Sequence, residues 1–201
     1  MSDEFHKASY DSRAWQRTRW LGVPVLKHPN DLVTYQEVLW ECKPDVLVET
    51  GTYAGGSAYF FATVMDLMGR GRVVTIDSYD VAGRPDHPRI EYVKSNSTSK
   101  SLVQRLKSEL KGQKVMVVLD SDHSAVHVLA EMELYCDLVG VNQYLVVEDT
   151  NVNGHPVFPE HGPGPFEACE VFLQRHPEFR QTDRCKKFGL SYFPGGWLVK
   201  Q

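Results

Sequence analysis

Apolar residues in this chain fall into short, nearly unbroken runs separated by longer stretches in which they recur every three or four positions. Runs at 45–49, 72–77, 90–93, 114–119 and 143–148 predict strands, and the stretches 56–68, 97–111 and 124–139 predict helices. Unbroken aliphatic runs suit parallel strands covered on both faces, whereas a sheet with one wet face alternates. A further helix is predicted over 31–43, where Leu32, Tyr35, Val38, Leu39 and Cys42 share a face and Pro44 ends the pattern. This succession gives an open, doubly wound α/β sheet, mostly parallel, in which ligands sit beyond the carboxyl ends of the strands.

The two ends break the pattern. Residues 1–18 are polar and mixed in charge, and read as an arm that is mobile or serves as an oligomer contact. Residues 151–165 hold four prolines and three glycines together with His155 and His161, which suits a substrate loop or lid. Pro165 opens a helix to Arg175, with Phe166, Cys169 and Leu173 on one face. Residues 190–193 and 197–200, around Gly195-Gly196, predict a C-terminal antiparallel hairpin.

Composition narrows the class. At 201 residues the chain is expected to be a single domain with a substantial core. A net charge of -4 without a dense basic stretch argues against nucleic acid as a partner. No apolar run approaches the length of a membrane span, and no leader pattern opens the sequence, so a cytoplasmic protein is expected. Cys42, Cys136, Cys169 and Cys185 are scattered without a C-x-x-C pair, as reduced thiols would be.

The chemistry gathers at predicted strand ends. After the first strand comes Glu49-Thr50-Gly51-Thr52-Tyr53-Ala54-Gly55-Gly56-Ser57, a glycine-rich turn entering a helix. Such a turn lets backbone N–H groups approach a ligand, and the helix N-terminus favours an anionic group. The second strand ends at Asp77, placed to accept two ribose hydroxyls. The spacing G-x-x-x-G-G is not the G-x-G-x-x-G that seats a pyrophosphate. S-adenosylmethionine has no pyrophosphate but carries an amine and a carboxylate, which Glu49, the loop amides of Gly51 and Gly55, and Ser57 would meet. Tyr53 supplies a flat wall, and Ser97, after the third strand, either reaches the adenine or caps a helix. Asp120 borders the same cleft.

Asp120 also ends the fourth strand, and Glu148-Asp149 end the fifth. Three acids at neighbouring strand ends repel one another unless a cation lies between them, and all-oxygen ligation suits magnesium. Such an ion lowers the pKa of a substrate hydroxyl, and His123, three residues after Asp120, is placed to take the proton. Asp122 is a competing ligand, His155 and His161 are alternative bases, and His127 is assigned to a surface or packing face.

Taken together, Trp20-Leu21-Gly22-Val23-Pro24, Val48-Glu49-Thr50-Gly51-Thr52, Ile76-Asp77, Leu119-Asp120-Ser121-Asp122-His123 and Val147-Glu148-Asp149-Thr150 carry a family resemblance. Over residues 20–200 the chain resembles the cephalosporin hydroxylase and rhamnosyl O-methyltransferase family of class I S-adenosylmethionine-dependent methyltransferases. The resemblance implies a Rossmann-like fold with S-adenosylmethionine and Mg2+ as cofactors. It implies magnesium on Asp120, Glu148 and Asp149, and His123 as general base. Catechol O-methyltransferases are similar in layout but have a lysine at the position of His123. The expected activity is O-methylation of a hydroxyl, on a sugar of a glycosylated secondary metabolite or polysaccharide, by a homo-oligomer. A catechol-like or phenolic acceptor, or a noncatalytic cofactor-binding subunit that assists an oxygenase, are the alternatives.

Overall fold

The protein is described by a computed structural model covering residues 3–201. Its centre is a seven-stranded sheet, formed by β3 (Val46–Thr50), β4 (Arg72–Asp77), β5 (Ile90–Lys94), β6 (Val115–Leu119), β7 (Tyr144–Val147), β8 (Phe179–Gln181) and β9 (Trp197–Lys200). The order across the sheet is β5-β4-β3-β6-β7-β9-β8. The first five strands in that order run parallel, while β9 lies antiparallel to both β7 and β8. A separate two-stranded ribbon, β1 (Arg19–Trp20) and β2 (Val23–Pro24), precedes the sheet.

Alternate residues of each strand feed two cores. Val46 and Val48 of β3, with Val115 and Val117 of β6, face Leu106 of α4 (Lys100–Glu109), Met132 of α5 (Ala125–Tyr135) and Phe172 of α6 (Pro165–Arg175). Leu47, Met116 and Val118 face the other way, onto Leu39 of α2 (Pro29–Cys42) and Phe60, Phe61 and Met65 of α3 (Gly56–Met68). Each fully buried side chain of this size contributes about 1.5–3 kcal/mol. The two covered faces explain why the strands read as unbroken apolar runs.

Helices α3 and α6 and strands β4 and β9 have the predicted bounds, while other limits differ for local reasons. Helix α4 starts at Lys100 because Asn96 Oδ1 accepts the N–H and hydroxyl of Thr98, and Ser99 then caps the helix through Leu102 N–H. Helix α5 stops at Tyr135, where the N–H of Leu138 turns back to the Tyr135 carbonyl. The antiparallel C-terminal pairing exists, but its first strand is β8 and not residues 190–193. Those residues run as an irregular segment, anchored by the bond from Tyr192 N–H to Asp31. The N-terminal arm is ordered: α1 (Asp3–Asp11) and a 3-10 turn (Ala14–Arg17) lie along Tyr192, against which His6, Tyr10 and Trp15 pack. Among the described residues no helix is long and apolar enough to cross a membrane.

The strand order reverses between β3 and β6, which opens a crevice at their carboxyl ends. Gly51 closes β3 at φ 87°, and a Cβ there would lie 1.7 Å from the carbonyl oxygen of Asp120. The turn after β3 is therefore seated directly on the end of β6. Gly51→Ala is expected to lower stability by at least about 2 kcal/mol, from positive-φ strain plus the backbone clash. Urea denaturation checks this, and a change within about 0.5 kcal/mol would contradict the close approach.

Candidate active site

At the crevice a cavity of about 530 Å³ opens, bordered by Gly51, Tyr53, Asp77, Ser97, Asp120, His123 and Asp149. Of the two predicted cofactor carboxylates, Asp77 borders this cavity and Glu49 does not. Glu49 is fully buried, with Oε2 accepting the Thr75 hydroxyl at 2.6 Å and Oε1 without a partner. Burial raises its pKa to about 7, against the pull of Lys27 and of the hydroxyls of Ser57 and Thr75. An orphaned carboxylate oxygen fits an incoming amine, since a buried acceptor left unpaired is costly. Asp77 accepts the backbone N–H groups of Tyr53 (2.8 Å) and Tyr79 (2.9 Å), which fix its orientation, and Arg84 lies 3.4 Å away. Oδ2 accepts from both Tyr53 and Arg84, while Oδ1 keeps a further lone pair for a ribose hydroxyl. Gly55 begins α3 in a left-handed conformation without a side-chain cap, leaving the first-turn N–H groups open to a ligand.

Ser97 is nearly buried and faces His127 at 3.1 Å, while Ser99, two residues on, is the helix cap. His127 is not on an outer face. It borders the cavity, between Ser97, Ser121 (3.2 Å) and the buried Glu131 (3.4 Å). Its hydrogen bond to Glu131 raises its pKa.

The acidic half brings Asp120, His123 and Asp149 together, with one ligand atom of each lying within 4.8 Å of the others. His123 Nε2 is 3.2 Å from Asp149 Oδ2. Asp149 sits at φ 53°, a conformation uncommon outside glycine. Loss of water raises its carboxyl pKa, and Asp120 adds to the rise, while His123 opposes it. Asp122 is occupied elsewhere: one oxygen accepts both the N–H (2.8 Å) and the hydroxyl (2.5 Å) of Ser124 at the start of α5.

Glu148 is not one of that trio. Its Oε2 pairs with Lys27 Nζ at 2.5 Å and its Oε1 accepts the Tyr35 hydroxyl at 2.7 Å, all deep in the protein. Lys27 also reaches Asp120 Oδ2 at 2.9 Å. Burial disfavours the ammonium, but Asp120, Glu148 and Glu49 together outweigh it and raise the Lys27 pKa. Lys27 is the residue that the sequence reading passed over. The available signal was a single charge in Val23-Pro24-Val25-Leu26-Lys27, an otherwise apolar approach to a helix.

The loop histidines separate. His155 is pinned to α6, with Nε2 2.9 Å from Glu167 and its ring stacked on Phe166. His161 lies beside Phe158, and a Cβ on Gly164 would stand 3.4 Å from both its Nδ1 and the His123 carbonyl oxygen, so it is the loop histidine nearer the site.

Lys27→Met would leave two carboxylates without their buried cation. It is expected to cost about 3–5 kcal/mol in denaturant unfolding at neutral pH. A loss below about 1 kcal/mol would mean that the ammonium is solvated and not clamped between the acids.

The sequence model of the Rhamnosyl O-methyltransferase/CmcI family matches residues 12–201. A rhamnosyl O-methyltransferase of Mycobacterium tuberculosis is 41% identical over 209 residues, covering 100% of this chain and 85% of that protein. The Mycobacterium leprae rhamnosyl O-methyltransferase is 41% identical over 211 residues, covering 100% and 91%. Among solved structures, CmcI with Mg and SAM superposes with a TM-score of 0.70 at 21% identity, over 92% of this chain and 77% of that one. MycE with Mg, SAH and mycinamycin VI gives 0.54 at 18% identity, over 70% and 40%. At those identities the structural likeness speaks for the fold, while the sequence matches, which run through the glycine turn, Asp120, His123 and Asp149, place the chain in the Rhamnosyl O-methyltransferase/CmcI family.

Proposed function

We propose that the protein is an S-adenosylmethionine-dependent O-methyltransferase that uses magnesium and acts on a sugar hydroxyl, within a glycosylated metabolite or polysaccharide. Family membership supports the reaction class, and the named activity of the 41% identical mycobacterial proteins supports the sugar. The observation that carries the reading is the meeting of Asp120, His123 and Asp149 on the wall of the cavity that Gly51, Tyr53 and Asp77 also border. A dinucleotide reading lacks its glycine pattern here.

Each residue has a separable task. Glu49 Oε1 meets the cofactor's amine, Asp77 its ribose hydroxyls, and the open N–H groups at the start of α3 its carboxylate. Ser57 steadies Glu49, and Ser97 lines the far end of the cavity. Asp120 and Asp149 would hold the magnesium; an ion that prefers oxygen leaves the His123 ring free. Glu148 contributes chiefly through Lys27, which keeps Asp120 in place. Bound magnesium would acidify the acceptor hydroxyl, and bound S-adenosylmethionine would present the methyl group on its sulfonium. His123 then receives the hydroxyl proton at Nδ1, because Nε2–H faces Asp149 Oδ2, which orients the ring and stabilises its charged form.

Purified protein given S-adenosylmethionine, magnesium and p-nitrophenyl rhamnoside is expected to yield the methylated rhamnoside by mass spectrometry. Stripping divalent ions with EDTA should abolish turnover while leaving cofactor affinity within about twofold. Methylation of catechol alone, or full turnover in metal-free protein, would sink the proposal. His123→Ala is expected to lower kcat by about 10²–10⁴-fold with cofactor binding preserved, as calorimetry can verify. If turnover persists in that variant, His161 is the residue to replace next, because it is the loop histidine nearer His123.

A further inference from the structure

A second cavity, about 770 Å³, lies between the N-terminal helix α1 with its following turn and the loop at 156–160. Nothing in the cofactor or acid chemistry uses it. Trp15 borders this groove, and Trp15 also borders the cofactor cavity and the small pocket against Asp120 and Asp149. Trp15 is therefore a wall shared by the two spaces. Its N–H is tied to the Tyr10 carbonyl at 3.3 Å, and its ring stacks on Tyr10 with centroids 5.7 Å apart, so the orientation of the indole is fixed.

The groove is amphipathic in a particular way. Trp15 and Phe158 offer flat apolar surface, with Phe158 half exposed to solvent. Lys7, Asp11, Arg13 and Glu160 bring charges of both signs to the same space. A lipid chain would need no such charges, a nucleic acid would not tolerate two acids, and a flat catechol would need no groove beyond the site. A glycoside matches all of it. Sugar rings present one face of C–H bonds, which lies well on an aromatic ring, and a rim of hydroxyls, which donate to carboxylates and accept from ammonium and guanidinium groups. The volume is in the range of small-molecule sites.

We propose that this groove is the acceptor subsite. It holds the glycoside on Trp15 and Phe158, with hydroxyls read by Asp11, Arg13 and Glu160, so that the terminal sugar passes Trp15 to reach Asp149 and His123. The assignment rests on the sugar O-methyltransferase reading. It adds that the N-terminal arm and the 151–165 loop together form the acceptor wall, a role for which the sequence had offered only the loop.

The test is steady-state kinetics with p-nitrophenyl rhamnoside, paired with calorimetry of S-adenosylmethionine. Phe158→Ala and Glu160→Gln are the informative variants, because both residues border the groove alone and neither is buried. Each is expected to raise KM for the rhamnoside by about three- to tenfold, with cofactor Kd unchanged within about twofold. Trp15→Ala should raise KM further, and Trp15→Phe should restore part of the loss. Wild-type methylation of the rhamnoside with unchanged KM in Phe158→Ala and Glu160→Gln would overturn the groove assignment while leaving the activity standing. Loss of cofactor affinity in those two variants would likewise overturn it. No rhamnoside methylation by the wild-type protein would remove both readings together.

Discussion

The site is organised by one buried contact, the ammonium of Lys27 between Asp120 and Glu148. Parallel strands bring the ends of β6 and β7 side by side, and the sequence places an acid at each. Carboxylates that close repel strongly where water is scarce, and the fold answers with a cation delivered from outside the sheet. Lys27 comes from the segment between β2 and α2, turned inward just after Leu26, which holds a left-handed conformation at φ 53°. Tyr35 of α2 closes the other side of Glu148. A first-layer strand pair, an N-terminal ribbon and a helix are thus tied to one polar knot.

The knot divides labour among acids that look equivalent in sequence. Glu148 is absorbed into structure, Asp120 is shared, and Asp149 is left facing His123 and the open cavity. Lys27 offsets part of the negative charge that these acids gather at the strand ends, and it holds Glu148 in a separate buried pair. Gly51 transmits the arrangement to the cofactor side, since its backbone rests on the carbonyl of Asp120 and its turn leads directly into α3.

Much of this was legible from residue order. The aliphatic runs announced the parallel strands because both faces of the sheet are dry, and Gly51, Asp77, Asp120 and Asp149 announced the site because strand ends in such sheets carry it. His123 reaches Asp149 because the turn after β6 has the length to fold it back. What stayed hidden depended on partners distant in sequence. Lys27 meets Glu148 across 121 positions, and no local spacing announces such a pair. His127 reads as one helical turn past His123, yet it faces inward because Ser97 and Glu131 receive it. The arm at 3–17 looked featureless because its order comes from Tyr192, far along the chain, and the short strand β8 was concealed by a run with too few apolar residues to signal.

The same long-range contacts explain why the acceptor side resists a local reading. A cofactor shared by many proteins is met by a short, contiguous turn, so its signature is compact. An acceptor is met by whatever surface the fold can bring beside the reacting atom, and in the groove proposed above that surface comes from the N-terminal arm and the loop at 156–160. Glu167 holds one of them: it accepts the Gly164 N–H at 2.7 Å and the Asn153 amide at 2.8 Å, and it lies 2.9 Å from His155. These bonds outweigh burial and bring its pKa down to about 2, so the carboxylate stays charged and the loop stays tied to α6 across the ordinary pH range. Tyr192 holds the other through stacked and edge-on rings. The groove between them is thus bounded by one wall anchored to α6 and another anchored to Tyr192, with Trp15 held by Tyr10 and by the edge-on ring of Tyr192. Because none of these anchors passes through Asp120, His123 or Asp149, the lining of the groove can vary without any change at those residues.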